Sequence, residues 1–169
     1  HDTGSGVMGF GHEGNAQNAH THWIGTGYSS LTNYRVRCLV RRNSSTAISG
    51  GITVGSQYES GGADEYYRVR FFTNTISWQI NPHGATMTSG DSQGAGFPDD
   101  TDWYGLVVDY IVDGTDVQVR SRTWNTTDAV EPATYHIDAY DNSGDRLDTG
   151  TFGLWFYGSG SSGFYVRDV

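Results

Sequence analysis

The tetrapeptide Tyr-Arg-Val-Arg occurs twice, at residues 34–37 and 67–70, and in both copies apolar and charged residues alternate strictly. A strand sends successive side chains to opposite faces, so Tyr34, Val36, Cys38 and Val40, or Tyr67, Val69 and Phe71, share one face and the arginines take the other. One face feeds a core and the other displays positive charge, and the stretch from 34 to 80 is expected to form one sheet whose polar side carries the function. The same period of two recurs at 76–80, 103–112, 117–123, 135–140, 152–157 and 164–169, with a further strand at 50–55 and shorter ones at 7–10 and 20–24.

Composition points the same way. The chain has 24 Gly and 11 Tyr but only five Leu and four Glu, which disfavours helices and favours strands and turns. Asp113-Gly114-Thr115 and Thr73-Asn74 separate neighbouring strand patterns and predict hairpins. Residues 82–102 carry Gly, Ser, Asp or Pro at almost every second place and predict a long surface loop. The expectation is an all-β, two-sheet antiparallel β-sandwich with almost no helix, one domain over 1–169 in which 1–30 is a loosely defined N-terminal segment. No apolar run approaches the ~20 residues that span a bilayer, so no membrane insertion is expected, and no leader is evident at the start.

The net charge of −9 is carried by a biased set: all ten basic residues are Arg, and Asp greatly outnumbers Glu. Such a bias suits high salt, where hydrated carboxylates keep a chain soluble and lysine's apolar stem is avoided, and it points to a halophilic source, with ordinary variation in an acidic secreted domain as the plain reading. At roughly 1 M salt the Debye length is ~3 Å, so recognition must rest on short-range contacts. An acidic chain with no basic run is not expected to bind nucleic acid. Cys38 has no partner for an intrachain disulfide and falls in an apolar phase, which makes it a core thiol. Asn43-Ser44-Ser45 and Asn125-Thr126-Thr127 are glycosylation sequons and fit an extracellular or surface location.

Three clusters bear on metals. His12, His20 and His22 share an early segment and form a candidate zinc or copper set, with a polar loop as the plain reading. His1, if its amine is free, offers a copper chelate. Asp99, Asp100 and Asp102 form an acidic turn that either holds Ca2+ or is simply solvated.

Taken in order, Tyr34-Arg35-Val36-Arg37, Gly50-Gly51-Ile52-Thr53-Val54, Tyr66-Tyr67-Arg68-Val69-Arg70, Ile76-Ser77-Trp78, Trp103-Tyr104-Gly105-Leu106, Gly153-Leu154-Trp155 and the closing Phe164-Tyr165-Val166-Arg167-Asp168-Val169 resemble the concanavalin A-like jelly roll over residues 31–169. This lectin/glucanase superfamily includes laminin-G-like domains and many carbohydrate-binding modules. The resemblance implies glycan binding by one sheet or its rim loops, and a structural Ca2+ held by Asp168 in the last strand with Asp2 as the early carboxylate.

Eight arginines fall in the polar phase of the expected strands: Arg35, Arg37, Arg41, Arg68, Arg70, Arg120, Arg122 and Arg167. A guanidinium is a planar donor fork suited to carboxylate or sulfate. With His136, Trp155, Tyr157 and Tyr165, the arginines at 35, 37, 68, 70, 120 and 122 make the candidate surface for an acidic glycan. The competing reading is cross-strand pairing with Asp109, Asp138 or Glu59. The first functional expectation is therefore an extracellular lectin-like domain whose partner is a glycan or cell-surface polysaccharide. The alternative is a structural or adhesive domain of a surface appendage, envelope layer or virus particle, with self-association or a larger assembly. A polysaccharide lyase or glycoside hydrolase comes third: Gln79-Ile80-Asn81 departs from the Gln-Ile-His of jelly-roll alginate lyases, and no expected strand carries a period-two pair of acids that would set two carboxyls about 5 Å apart for retaining hydrolysis.

Overall fold

In a computed structural model, the described residues are 19–23, 27, 30–42, 48–57, 64–72, 77–91, 101–127, 129–158 and 163–168. They contain eleven strands and no helix: β1 Ala19–His22, β2 Tyr34–Arg42, β3 Ile48–Gln57, β4 Glu65–Phe72, β5 Ser77–His83, β6 Ser89–Asp91, β7 Tyr104–Asp113, β8 Asp116–Asn125, β9 Ile137–Asp141, β10 Thr151–Gly158 and β11 Phe164–Arg167. They form two antiparallel sheets, a five-stranded one in the order β1-β10-β3-β4-β5 and a six-stranded one in the order β11-β2-β7-β8-β9-β6. The chain is a β-sandwich, as the alternation predicts. The expected strand at 7–10 lies outside the described residues.

Two expectations are corrected. The Tyr-Arg-Val-Arg copies do not share a sheet: β2 pairs with β7 and β11, whereas β4 pairs with β3 and β5. Their apolar phases meet in the core and their arginines point out of opposite sides of the sandwich. The stretch from 82 to 102 is not all loop either, because β5 continues to His83 and Ser89–Asp91 pairs with β9. Pairing of Ser89 with Tyr140 and Gly90 with Ala139 through the backbone needs no apolar phase, which is why the side chains hid it.

The core lies between the sheets. Val36, Cys38 and Val40 of β2 and Leu106, Val108 and Tyr110 of β7 face Ile52, Val54, Tyr67, Val69, Phe71 and Trp78 from the other sheet. Each fully buried apolar side chain of this size contributes about 1.5–3 kcal/mol. Burial pushes the Cys38 thiol up to about 12, as befits an inert core thiol. The polar handles of the large aromatics are satisfied across the gap: Trp78 Nε1 donates to Ser121 Oγ at 2.8 Å and Tyr67 OH donates to Asp141 at 2.6 Å. These bonds fix one sheet against the other, since a buried donor without an acceptor would cost about 1–3 kcal/mol.

β3 carries a bulge between Val54 and Gln57, seen as a register shift toward β4. Gly55 sits in it at φ 60°, its N–H donating to Tyr34 OH at 2.8 Å while that phenol donates to Thr151 O at 2.9 Å. A side chain at Gly55 would meet the Tyr110 ring at 3.0 Å in a conformation that L-residues avoid. Gly55→Ala is therefore expected to destabilise the fold by about 1–2 kcal/mol, read as a lower urea midpoint with unchanged slope.

Candidate functional site

The outer faces of the two sheets treat their arginines differently. On the six-stranded sheet Arg35 and Arg37 of β2 and Arg120 and Arg122 of β8 are neutralised. Asp109, 4% exposed, receives Arg35 Nε at 2.5 Å, Arg35 Nη2 at 2.9 Å and Arg120 Nε at 3.2 Å, and also the Tyr135 hydroxyl. Burial alone would raise its carboxyl, but the donors from Arg35 and Tyr135, the Arg35 charge and the Arg120 donor outweigh that and hold it at about 2. Glu131 does the same for the next row, accepting from Arg37 Nη1 at 2.5 Å and from Arg122 Nε at 2.9 Å. Tyr135 packs under the Arg120 and Arg122 guanidinia, at 4.3 and 4.9 Å. His136 accepts the Thr123 N–H through Nδ1 at 3.2 Å. Asp138 takes the Gln118 amide at 2.6 Å, and Glu59 lies outside the described residues.

The outer face of the five-stranded sheet is built otherwise. Register aligns His20, Trp155, Gly51, Arg70 and Gln79 in one row across all five strands, and His22, Gly153, Thr53, Arg68 and Asn81 in the next. Gly51 has no side chain, so the Trp155 indole reaches across β3 to the arginines of β4, with Arg68 Cζ 4.9 Å and Arg70 Cζ 5.1 Å from its centroid. Arg70 is also stacked on Phe72 at 4.2 Å. Arg68 donates to the Asn81 backbone oxygen at 3.2 Å and to its side-chain oxygen.

Among the described residues Arg70 has no such acceptor. It is 9% exposed, and its Nε is buried without a hydrogen-bond partner; no carboxylate pairs with it among the described residues. Burial first, then the charge of Arg68 beside it, push its guanidinium down to about 10. Trp155, 1% exposed, buries a second orphan, its Nε1–H. A lone buried cation is an unfavourable arrangement unless something outside the fold completes it.

Beside the arginines lies an imidazole relay. His20 Nδ1 stands 3.2 Å from Asp64 Oδ2, and Nε2 stands 3.2 Å from Thr53 Oγ1. Because the Ser56 hydroxyl donates to Thr53 at 2.8 Å, Thr53 donates onward to Nε2 and the ring donates Nδ1–H to Asp64. Burial lowers the His20 pKa more than Asp64 raises it, which keeps the ring neutral in this role. The Thr53 hydroxyl is fully buried, so the relay orders the floor of the face and offers no exposed nucleophile. Tyr66 lies against His20 at 4.1 Å and stacks on His83 at 5.0 Å.

The structure thus divides the expected ligand surface. It brings Arg68, Arg70, Trp155 and Tyr157 together, the last stacked on Trp155 at 6.3 Å. It puts Arg35, Arg37, Arg120, Arg122 and His136 on the opposite sheet, with Tyr165 in β11 at that sheet's edge. Tyr66, Phe72, Gln79 and Asn81 also belong to the site and were not foreseen; the same alternation that marks Arg68 and Arg70 places Tyr66 and Phe72 beside them.

Of the metal expectations, His1, Asp2, His12, Asp99 and Asp100 lie outside the described residues. Among the described residues no three His, Cys, Asp or Glu side chains are grouped to hold a metal ion. Asp168, at φ 56°, directs its carboxylate toward Arg167 Nε at 3.5 Å. Among the described residues no helix is long and apolar enough to cross a membrane.

No family model and no curated protein matches the sequence. Among solved structures, the chain is similar to a basic winged bean lectin crystallised with Tn-antigen, at 12% identity and a TM-score of 0.35, over 89% of this chain and 77% of that one.

Proposed function

We propose that the chain is a carbohydrate-binding domain that takes an acidic glycan on the outer face of its five-stranded sheet. The observation that supports this reading is Arg70: a guanidinium clamped between Phe72 and Trp155, buried, and without an acceptor among the described residues. A sugar carboxylate or sulfate supplies the missing acceptor, and a planar fork is the donor that suits it. Arg68, held by Asn81, adds the second positive charge, and Tyr157 offers a half-buried ring beside the indole for the apolar face of a sugar. Arg35, Arg37, Arg120 and Arg122 on the other sheet are paired with Asp109 and Glu131 and give no comparable demand for an external anion.

In this reading the net charge of −9 repels a polyanion at long range, so binding belongs to a salty extracellular setting where ~3 Å screening removes the repulsion and leaves the buried fork in force. The test is calorimetric titration in molar salt with a uronic-acid oligosaccharide, its sulfated counterpart and the carboxyl-reduced neutral form. Saturable binding of an acidic form, with the neutral form at least tenfold weaker, is the expected result. Equal binding of acidic and neutral forms, or binding of none, overturns the proposal.

A further inference from the structure

The edge of the six-stranded sheet carries a second group of arginines that, among the described residues, escapes the neutralising lattice. β11 is the edge strand, and cross-strand register sets Tyr165 against Arg41 of β2. Tyr104 pairs with Val40, so Trp103, one residue earlier, falls beside Arg41 on the same outward phase. The Arg41 guanidinium stands 4.9 Å from the Trp103 centroid and 5.4 Å from Tyr165, and that of Arg167 stands 4.1 Å from Trp103. Two cations therefore share one indole.

Their polar edges are poorly satisfied. Among the described residues, the Nε atoms of Arg41 and Arg167 are both buried without a hydrogen-bond partner. The carboxylate paired with Arg167 is that of Asp168, at 3.5 Å and with its side chain 64% exposed, so it is loosely held. Asp102, next to Trp103 in the chain, accepts from the Asn125 amide at 3.0 Å. By contrast, Asp109 and Glu131, a few residues along the same face, each bridge two arginines at hydrogen-bond distance. Stacking on an aromatic ring holds a guanidinium's plane while leaving its terminal Nη donors available, and two such pairs around one ring can both donate to a small tetrahedral anion.

We propose that Trp103, Arg41, Arg167 and Tyr165 form an oxyanion-binding site, for a sulfate or phosphate group, separate from the face that holds Arg70. Tyr165 walls the site on the strand edge and Trp103 is its floor. Arg41 and Arg167 supply the donors, and the loosely held Asp168 is displaced when the oxyanion enters. The site lies on the sheet opposite Arg70, so a chain that binds at both places engages two anionic groups in opposite directions; that consequence rests on the function proposed above, whereas the oxyanion site itself does not.

The test is a titration of the isotopically labelled chain with inorganic sulfate, against sodium chloride of matched ionic strength, following the Arg Nε–Hε and Trp indole N–H signals by NMR. Signals of Arg41, Arg167 and Trp103 are expected to move together and saturate in sulfate but not in chloride. Arg167→Gln, on an edge strand with little core to disturb, is expected to abolish the saturation, and Arg41→Gln to do the same. Arg70→Met leaves it intact, which separates this site from the other face. Movement that chloride reproduces, or that persists in the folded Arg167→Gln chain, overturns the proposal. Methyl sulfate and methyl phosphate then distinguish the source: tighter binding of the first assigns a sulfate ester, of the second a phosphoryl group.

Discussion

Arg70→Met is expected to weaken binding of an acidic oligosaccharide on the order of thirtyfold while raising the melting temperature. Both effects come from one arrangement. The methionine stem keeps the packing between Phe72 and Trp155 but removes a buried charge that no described residue neutralises. Losing a desolvated donor fork to a carboxylate or sulfate costs about 2 kcal/mol or more of binding. Relieving the uncompensated cation, which burial and Arg68 already hold down at about 10, returns roughly 1 kcal/mol to the fold, a few degrees for a domain of this size. Arg70→Lys is the informative companion: it keeps a charge but not the planar fork, and should bind between the two. A variant that loses stability and binding together would make Arg70 a structural residue and leave the proposed site without its anchor.

Asp109→Asn is expected to do the opposite, destabilising the fold by about 2 kcal/mol and leaving glycan binding unchanged. The side chain keeps its volume, so the loss is electrostatic: a buried carboxylate that gathers Arg35, Arg120 and Tyr135 becomes a neutral amide with half its acceptor capacity. The usual 3–5 kcal/mol for breaking a buried pair is reduced because the Arg35 side chain is 52% exposed and can turn to water. The same carboxylate marks an acid limit. Its folded pKa of about 2 lies below the ordinary 3.8, so its contribution is complete above roughly pH 4 and is lost as pH falls toward 2. Urea midpoints taken through that window should fall steeply for the wild-type chain and less steeply for Asp109→Asn. Parallel slopes in the two proteins would remove Asp109 as the cause.

Strands were legible in the sequence because alternation is a local property. Each run of β2, β4, β7 and β8 announces its own inner and outer phase, and Asp109 stands out as the one acid in the run 103–112, on the polar phase. Sheet membership was not legible, because it depends on partners far along the chain: β2 joins β7 about seventy residues on, with Arg35 opposite Asp109. The second acid that neutralises arginines, Glu131, sits in a segment with no period, and nothing near it in sequence couples it to Arg37 or Arg122. Pairing and ligand binding compete as readings of ten arginines in the sequence, and only the assigned strands separate the paired set, Arg35, Arg37, Arg120 and Arg122 with Asp109 and Glu131, from Arg70, which no carboxylate pairs with among the described residues.

The row that runs from His20 through Trp155, Gly51 and Arg70 to Gln79 crosses four strand pairings, so the face exists only when all four registers are correct at once. A one-residue slip of β4 would turn Arg68 and Arg70 into the core and Val69 into the light. The bulge at Gly55 lies at one end of these rows, where its clamp by Tyr34 sets the register before the row begins. If the proposed acidic-glycan binding holds, it doubles as a proofreading signal, since an immobilised acidic glycan would retain correctly threaded chains and let through those that are compact but misaligned.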